Sequence, residues 1–387
     1  MPDTALVGVG WDHPRCRAPL DASVARYAAV APDVAVTWRY RSLYEFGEGR
    51  LDRLFGAGDL VIFDHPFVGE AARHGYLLDL APFLSDGDRA AMAADSVGAS
   101  LPSYRAEGGL YGLPIDAAAQ VAAVRPDLLD RLDRPLPRTF DEVLALADAA
   151  RTRGLHVAAP AKPTDALCMM ITLAANTGHP PAREAEGFLD PAVGAEALER
   201  LRALVARLHP ASARWNPIAC LDHMTGGDEI VYVPYTFGYT SYSRPGVARA
   251  VRFHDIVAAG EHGPAGSLLG GAGVGVLAST AAPKAAVAYA RWLCAPESQR
   301  SWYVDAGGQP ASRSAWTDPR CDAVTGGFFS NTLATHDMAY VRPTVPGFLP
   351  FFRAATEVVH ACLFDGTPAP AEAARRVDAL YRDHVRS

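Results

Sequence analysis

The stretch that most constrains this chain is Gly108–Asp116, Gly-Gly-Leu-Tyr-Gly-Leu-Pro-Ile-Asp, with the run that follows it to Asp130. Leu110, Tyr111, Leu113 and Ile115 are apolar and β-prone, but Gly112 and Pro114 interrupt them, so the segment reads as a short strand that must bend. Asp116 closes it, Ala117–Val124 is an apolar run of small residues, and Arg125-Pro126-Asp127-Leu128-Leu129 opens a helix with Pro126 suited to the first turn. A strand that bends and then starts new packing is what a crossover between two domains needs, because hinges are a few residues that absorb the φ/ψ change. Leu268–Thr280, with Gly270, Gly271, Gly273 and Gly275, is a second stretch of this kind. At 387 residues the chain is too long for one ordinary core, so two domains are expected. If the first stretch leaves the N-terminal domain and the second returns to it, both domains are discontinuous. The boundaries are then 1–113 plus 272–328 for the N-terminal lobe and 114–271 plus 329–387 for the C-terminal lobe.

The rest of the pattern alternates. Ala5–Gly10, Val34–Tyr40 and Asp59–Phe63 read as strands, with helices over Pro19–Ala31, Leu51–Ala57 and Val68–Gly75 between and after them. That order argues a βαβ sheet with right-handed crossovers. Further on, Thr139 followed by Glu142 makes a capping box ahead of a helix over Phe140–Arg153. Helices are expected over Thr164–Thr177, Ala192–Leu208, Lys284–Leu293, Glu297–Ala306, Pro350–Leu363 and Ala369–His384. Strands are expected over Glu229–Pro234, Val251–Val257 and Leu268–Ala278, with Tyr235–Ser243 a tyrosine-rich loop. A net charge of −7 argues against a nucleic-acid surface, and no apolar run approaches the roughly 20 residues that cross a bilayer. The six cysteines are scattered with no CxxC or zinc spacing and read as reduced or buried thiols.

"GLYGLPID", a helix, and then Leu136-Pro137-Arg138-Thr139-Phe140-Asp141-Glu142-Val143-Leu144 resemble the family 1 extracellular solute-binding proteins, the sugar receptors of bacterial ABC importers. Later segments agree with that resemblance. They are the glycine-rich return strand Leu268–Thr280, the helix Ala285–Leu293 with Pro296-Glu297-Ser298-Gln299, and the loop Gly307-Gly308-Gln309-Pro310-Ala311-Ser312-Arg313. The resemblance implies an α/β fold of two Rossmann-like lobes, joined by hinge crossovers, with a ligand cleft between them, as in type II periplasmic binding proteins. It also implies export to the periplasm or the cell exterior. Ala5–Val9, however, follows Met1–Thr4 with no basic region, apolar stretch or lipobox cysteine ahead of it, which as written reads as a cytoplasmic start. Both locations stay open at this point.

In an open α/β sheet, ligands bind at the carboxyl ends of the strands. Two strands there end alike, in Asp12-His13-Pro14 and Asp64-His65-Pro66. Asp12 and Asp64 read either as caps of the following turns or as bidentate acceptors for sugar hydroxyls, with His13 and His65 adding donors. Asp-His recurs at Asp222-His223 and Asp383-His384, and no HxxxH or HExxH frames a metal site, so no metal or cofactor is expected. Aromatic faces stack on the C–H face of a pyranose, which makes Trp11, Tyr40, Trp215, Tyr235 and Tyr239 candidates, while Tyr232 reads as core. Asp116 and Gly271, on the crossover strands, are further ligand-binding candidates. Arg313 and Arg342 read either as donors to a ligand or as partners in surface salt bridges.

The reading is a monomeric receptor that captures a saccharide or other polyol by cleft closure and delivers it to an ABC permease, without catalysis. The alternative is a cytoplasmic enzyme or metabolite sensor on the same scaffold, using the Asp12-His13 and Asp64-His65 pairs. No GxSxG and no cysteine at a helix start with a histidine partner supports nucleophilic catalysis.

Overall fold

The computed structural model describes residues 2–47, 51–54, 56–181 and 187–385. Its principal strands are Thr4–Trp11 (β1), Val34–Arg41 (β2), Leu60–Phe63 (β3), Leu113–Val124 (β4), His156–Val157 (β5), Ile230–Phe237 (β6), Arg252–His254 (β7) and Leu269–Val276 (β8). The chain divides into two compact units, each made of several segments. The first is Met1–Ala118, Tyr239–Ser241 and Gly270–Thr325; the second is Ala119–Gly238, Tyr242–Leu269 and Gly326–Ser387.

In the first unit β2 pairs parallel to β1, β1 parallel to β3, and β8 returns antiparallel beside β3. The helix Pro14–Val30 connects β1 to β2, the short crossover that parallel pairing demands. All four residues of β3 are buried, as expected of a strand covered on both faces. At the far end of the sheet the return strand needs glycine. Gly273 would meet the Tyr104 ring and Gly275 the Phe63 ring if either carried a Cβ. Phe63 and Tyr104 themselves pack edge to face with centroids 5.3 Å apart.

The second unit is built on the far half of β4, which pairs antiparallel with β6 and, at its end, with β7. β5 runs parallel beside β6. Its core is one apolar cluster, where Phe140–Arg151, Pro163–Asn176, Pro191–Val205, Phe348–Phe364 and Pro370–Val385 supply the helical faces. Twelve consecutive residues of Pro163–Asn176, Asp165 to Asn176, are buried, so that helix is wrapped on all sides. The capping box at Thr139 is formed in full, with the Thr139 side chain accepting from Glu142 N–H and Glu142 accepting from Thr139 N–H.

Several elements differ from the expectation. The crossover strand does not stop at Asp116 but continues as β4 to Val124, because its alanines are buried between neighbouring strands that supply the pairing. β6 continues through Tyr235 to Phe237, which moves Tyr235 from a loop into a strand. The helix expected over Glu297–Ala306 breaks at Ser301, whose backbone leaves helical geometry. Of the helix expected over Leu51–Ala57, Leu51–Leu54 form a short 3₁₀ turn, and Phe55 lies outside the described residues. All six cysteines are free.

Candidate functional site

The carboxyl ends of β1 and β3 carry the two Asp-His-Pro triplets. Their polar residues first serve local structure. His13 caps the helix Pro14–Val30, its Nδ1 accepting from Arg15 N–H at 3.1 Å. Asp64 caps the turn His65–Phe67, its Oδ1 accepting from His65 N–H at 2.8 Å and lying 3.0 Å from His65 Nδ1. His65 is fully buried beneath it.

The centre of this region is Arg15, a residue the sequence did not single out. It stands in the first turn of Pro14–Val30 and is buried, as is Asp116 on β4. The guanidinium grips the Asp116 carboxylate with both edges: Nε donates to Oδ2 at 2.7 Å, and Nη2 donates to Oδ1. Burial works against the Arg15 charge, but the Asp116 carboxylate more than offsets it and the guanidinium pKa is raised. Burial also pushes the Asp116 carboxyl up from the usual carboxylate range; Arg15 opposes that shift, and the nearby Asp64 charge adds to it.

Above this pair lies Tyr239. The Arg15 guanidinium carbon is 4.6 Å from its ring centroid and the His13 ring meets it edge-on at 5.1 Å. The segment is pinned by Gln309, which accepts from Thr240 N–H at 3.2 Å and donates to Ala117 O at 2.7 Å. Gly271 belongs to the same construction. Its φ is +99°, and a Cβ there would press into the Asp116 carbonyl oxygen. Glycine is therefore required for two reasons, the left-handed backbone and the close approach.

Beside this centre, Trp11 ends β1, buried against Phe46 with ring centroids 4.5 Å apart, and its indole N–H has no hydrogen-bond partner among the described residues. Asp12 is exposed and pairs with Arg17 at 2.9 Å; Arg17 in turn covers the Tyr40 ring at 4.6 Å. Tyr40 donates its hydroxyl to Asp21.

The remaining expected residues have other partners. Arg313 Nε donates to Ser96 O at 3.3 Å elsewhere in the first unit. In the second unit Trp215 is stacked between His209 and His223, with centroids 4.9 and 4.3 Å away. Tyr235 belongs to the hydrophobic core of that unit, and Arg342 lies over Phe352 at 5.9 Å. A cavity of about 380 Å³ opens in the first unit between Met92, Leu113, Trp292 and Ala311, and none of the expected residues borders it. Among the described residues no group of three or more His, Cys, Asp or Glu side chains is placed to hold a metal ion.

The surface that β1, β3 and Tyr239 build thus offers aromatic faces, a charged pair already satisfied internally, and carboxylates engaged in turns. It has the parts of a polar-ligand site. Residues 54–323 match the family model described as bacterial extracellular solute-binding protein. The chain belongs to that family. It is a family of substrate-binding receptors, not of enzymes. Solved structures similar to this solute-binding protein include maltose-bound MalE3 of T. maritima, at 18% identity and TM-score 0.82, covering 98% of this chain and 99% of that one. The GacH receptor of Streptomyces glaucescens, solved unliganded and with acarbose, aligns at 17% identity and TM-score 0.80 over 100% of both chains. A solute-binding protein of Agrobacterium radiobacter K84 in complex with ribitol aligns at 18% and 0.79, covering 99% of this chain and 100% of that one. At such identities the likeness shows the α/β fold, which is that of the periplasmic sugar-binding proteins. No curated protein sequence matches the chain. Among the described residues no helix is long and apolar enough to cross a membrane.

Proposed function

We propose that this solute-binding protein captures a saccharide at the surface formed by Trp11, His13, Asp64 and Tyr239 and hands it to an ABC permease. The observation that carries the reading is the family match over residues 54–323, joined to a tyrosine ring held rigid by Arg15 and His13. A fixed aromatic face is what a pyranose stacks on, and pre-positioned contacts lower the ordering cost of binding. Neighbouring folds crystallised with maltose, acarbose and ribitol support polyhydroxylated ligands. The place of work this implies is outside the cytoplasmic membrane, where the family operates.

The test is a thermal-shift and calorimetric screen of mono- and oligosaccharides with purified protein. One narrow group should raise the melting temperature, by about 2.7 kcal/mol of added stability at a ligand concentration 100 times Kd. Tyr239→Ala should lower affinity for that group by tenfold or more, and steady release of a converted sugar would overturn the reading.

A further inference from the structure

Among the described residues, one cation at the carboxyl end of the first sheet makes no ion pair. Arg41 is the last residue of β2 and the register partner of Trp11, the last residue of β1. Its guanidinium reaches across the strand ends, Nη2 donating to Ile62 O on β3 at 3.0 Å and Nη1 donating to Glu45 O at 3.2 Å. Both acceptors are neutral carbonyls. The buried Nε–H has no acceptor among the described residues.

Trp11 Nε1 is in the same condition, and the two side chains meet the same ring. Phe46 lies 4.5 Å from the Trp11 ring and 5.8 Å from the Arg41 guanidinium carbon. Two N–H donors without acceptors among the described residues, on paired strand ends and under one aromatic side chain, are costly, because a buried donor that loses water and gains no partner is left with its desolvation penalty. Burial has brought the Arg41 pKa down to about 10, with Glu45 the largest opposing influence.

The surrounding charges sharpen the point. Asp116 is engaged by Arg15, Asp12 by Arg17, and Asp64 caps the His65 turn. Glu45 directs its carboxylate at Ser42 N–H and Oγ–H, both at 2.9 Å. The neighbouring described carboxylates are thus already engaged, and the Arg41 Nε–H is an unused donor. The planar guanidinium fork matches a carboxylate with two parallel hydrogen bonds.

We infer that the saccharide captured by this protein carries a carboxylate, as a uronic acid does, and that Arg41 with the Trp11 indole N–H receives it. The inference rests on the saccharide-receptor reading and narrows it from polyols in general to acidic sugars.

The test uses the full chain and two matched pairs measured by calorimetry, glucuronate against glucose and galacturonate against galactose. At low salt the acid should bind at least tenfold tighter in one pair, and the advantage should shrink as salt is raised to 0.5 M. Arg41→Met keeps the apolar stem and removes the fork; it should erase the discrimination. Arg73→Gln, the same change of charge at an exposed site on the helix Val68–His74, should retain it. If Arg41→Met fails to fold, the salt dependence of the native protein decides alone. Neutral sugars binding as tightly as their acids would overturn the inference and leave the saccharide reading standing. Failure of both members of each pair, with a wider neutral screen also negative, would overturn both.

Discussion

Removing Asp116 tests whether the Arg15–Asp116 pair is as central to the first unit as its geometry implies. The side chains are only 5% and 2% exposed, so water is poorly placed to take over the lost contacts. Asp116→Ala removes two charge-assisted hydrogen bonds, each of order 1.5–3 kcal/mol, and leaves a guanidinium buried without its carboxylate. The loss expected for breaking a buried pair on one side is about 3–5 kcal/mol. Replacing both partners, Arg15→Met with Asp116→Leu, exchanges the pair for apolar groups of similar shape and should return stability to within about 1–2 kcal/mol of the native protein. The double-mutant cycle should therefore show strong coupling between the two positions. The assay is urea unfolding followed by tryptophan fluorescence. Five of the six tryptophans, Trp11, Trp38, Trp292, Trp302 and Trp316, belong to the first unit, so that signal reports chiefly on it. A single variant that loses less than about 1 kcal/mol, or a double variant as unstable as the single, would refute the reasoning.

Two further outcomes follow from the same coordinates. Gly271→Ala combines a left-handed backbone with a Cβ pressed into Asp116 O, and should cost about 1–3 kcal/mol, read as a fall of several degrees in the melting temperature of the first unit; an unchanged value would show that the backbone there yields freely. In the second unit, burial holds the His209 and His254 pKa values below the ordinary histidine range. The folded state then binds fewer protons than the unfolded chain near its pKa of about 6.5, so the stability these groups contribute is present above that pH and is lost as pH falls through it. The midpoint for the second unit should drop between pH 7.5 and 5, and His209→Gln with His254→Gln should flatten the slope; an equally steep slope in the double variant would assign it elsewhere.

What the sequence made legible is what depends on near neighbours. β1 and β2 were readable from short apolar runs, and the Thr139 capping box from residues three apart. The glycines of β8 could be read as sites of close approach before the Phe63 and Tyr104 rings that require them were known. What it hid depends on distant partners. Alanine is a poor strand former, so Ala117–Val124 gave no sign that β4 continues; pairing with β6 and β7 imposes the extended form. Tyr235 looked like a loop aromatic because its burial is decided by helices far along the chain. Arg15 resembled any cation in the first turn of a helix, since its partner is 101 residues away. Arg41 was passed over because nothing in the sequence marks a strand-end cation whose acceptors are backbone carbonyls.

The pairing of Arg15 with Asp116 also changes what the strand ends can do. Asp116, expected among the ligand-binding residues, has both carboxylate oxygens engaged by a guanidinium, and that guanidinium lies over Tyr239. The polar network thus fixes a ring in place and has its own hydrogen-bonding capacity already engaged. Gln309 does the same for the backbone at Thr240 and Ala117. Under the proposed reading, recognition falls to the rings of Trp11 and Tyr239 and to the Arg41 guanidinium. A surface of that composition discriminates by the shape of a ring's C–H face and by the charge at one end of it. Rigid support behind a small number of contacts is what precise positioning requires.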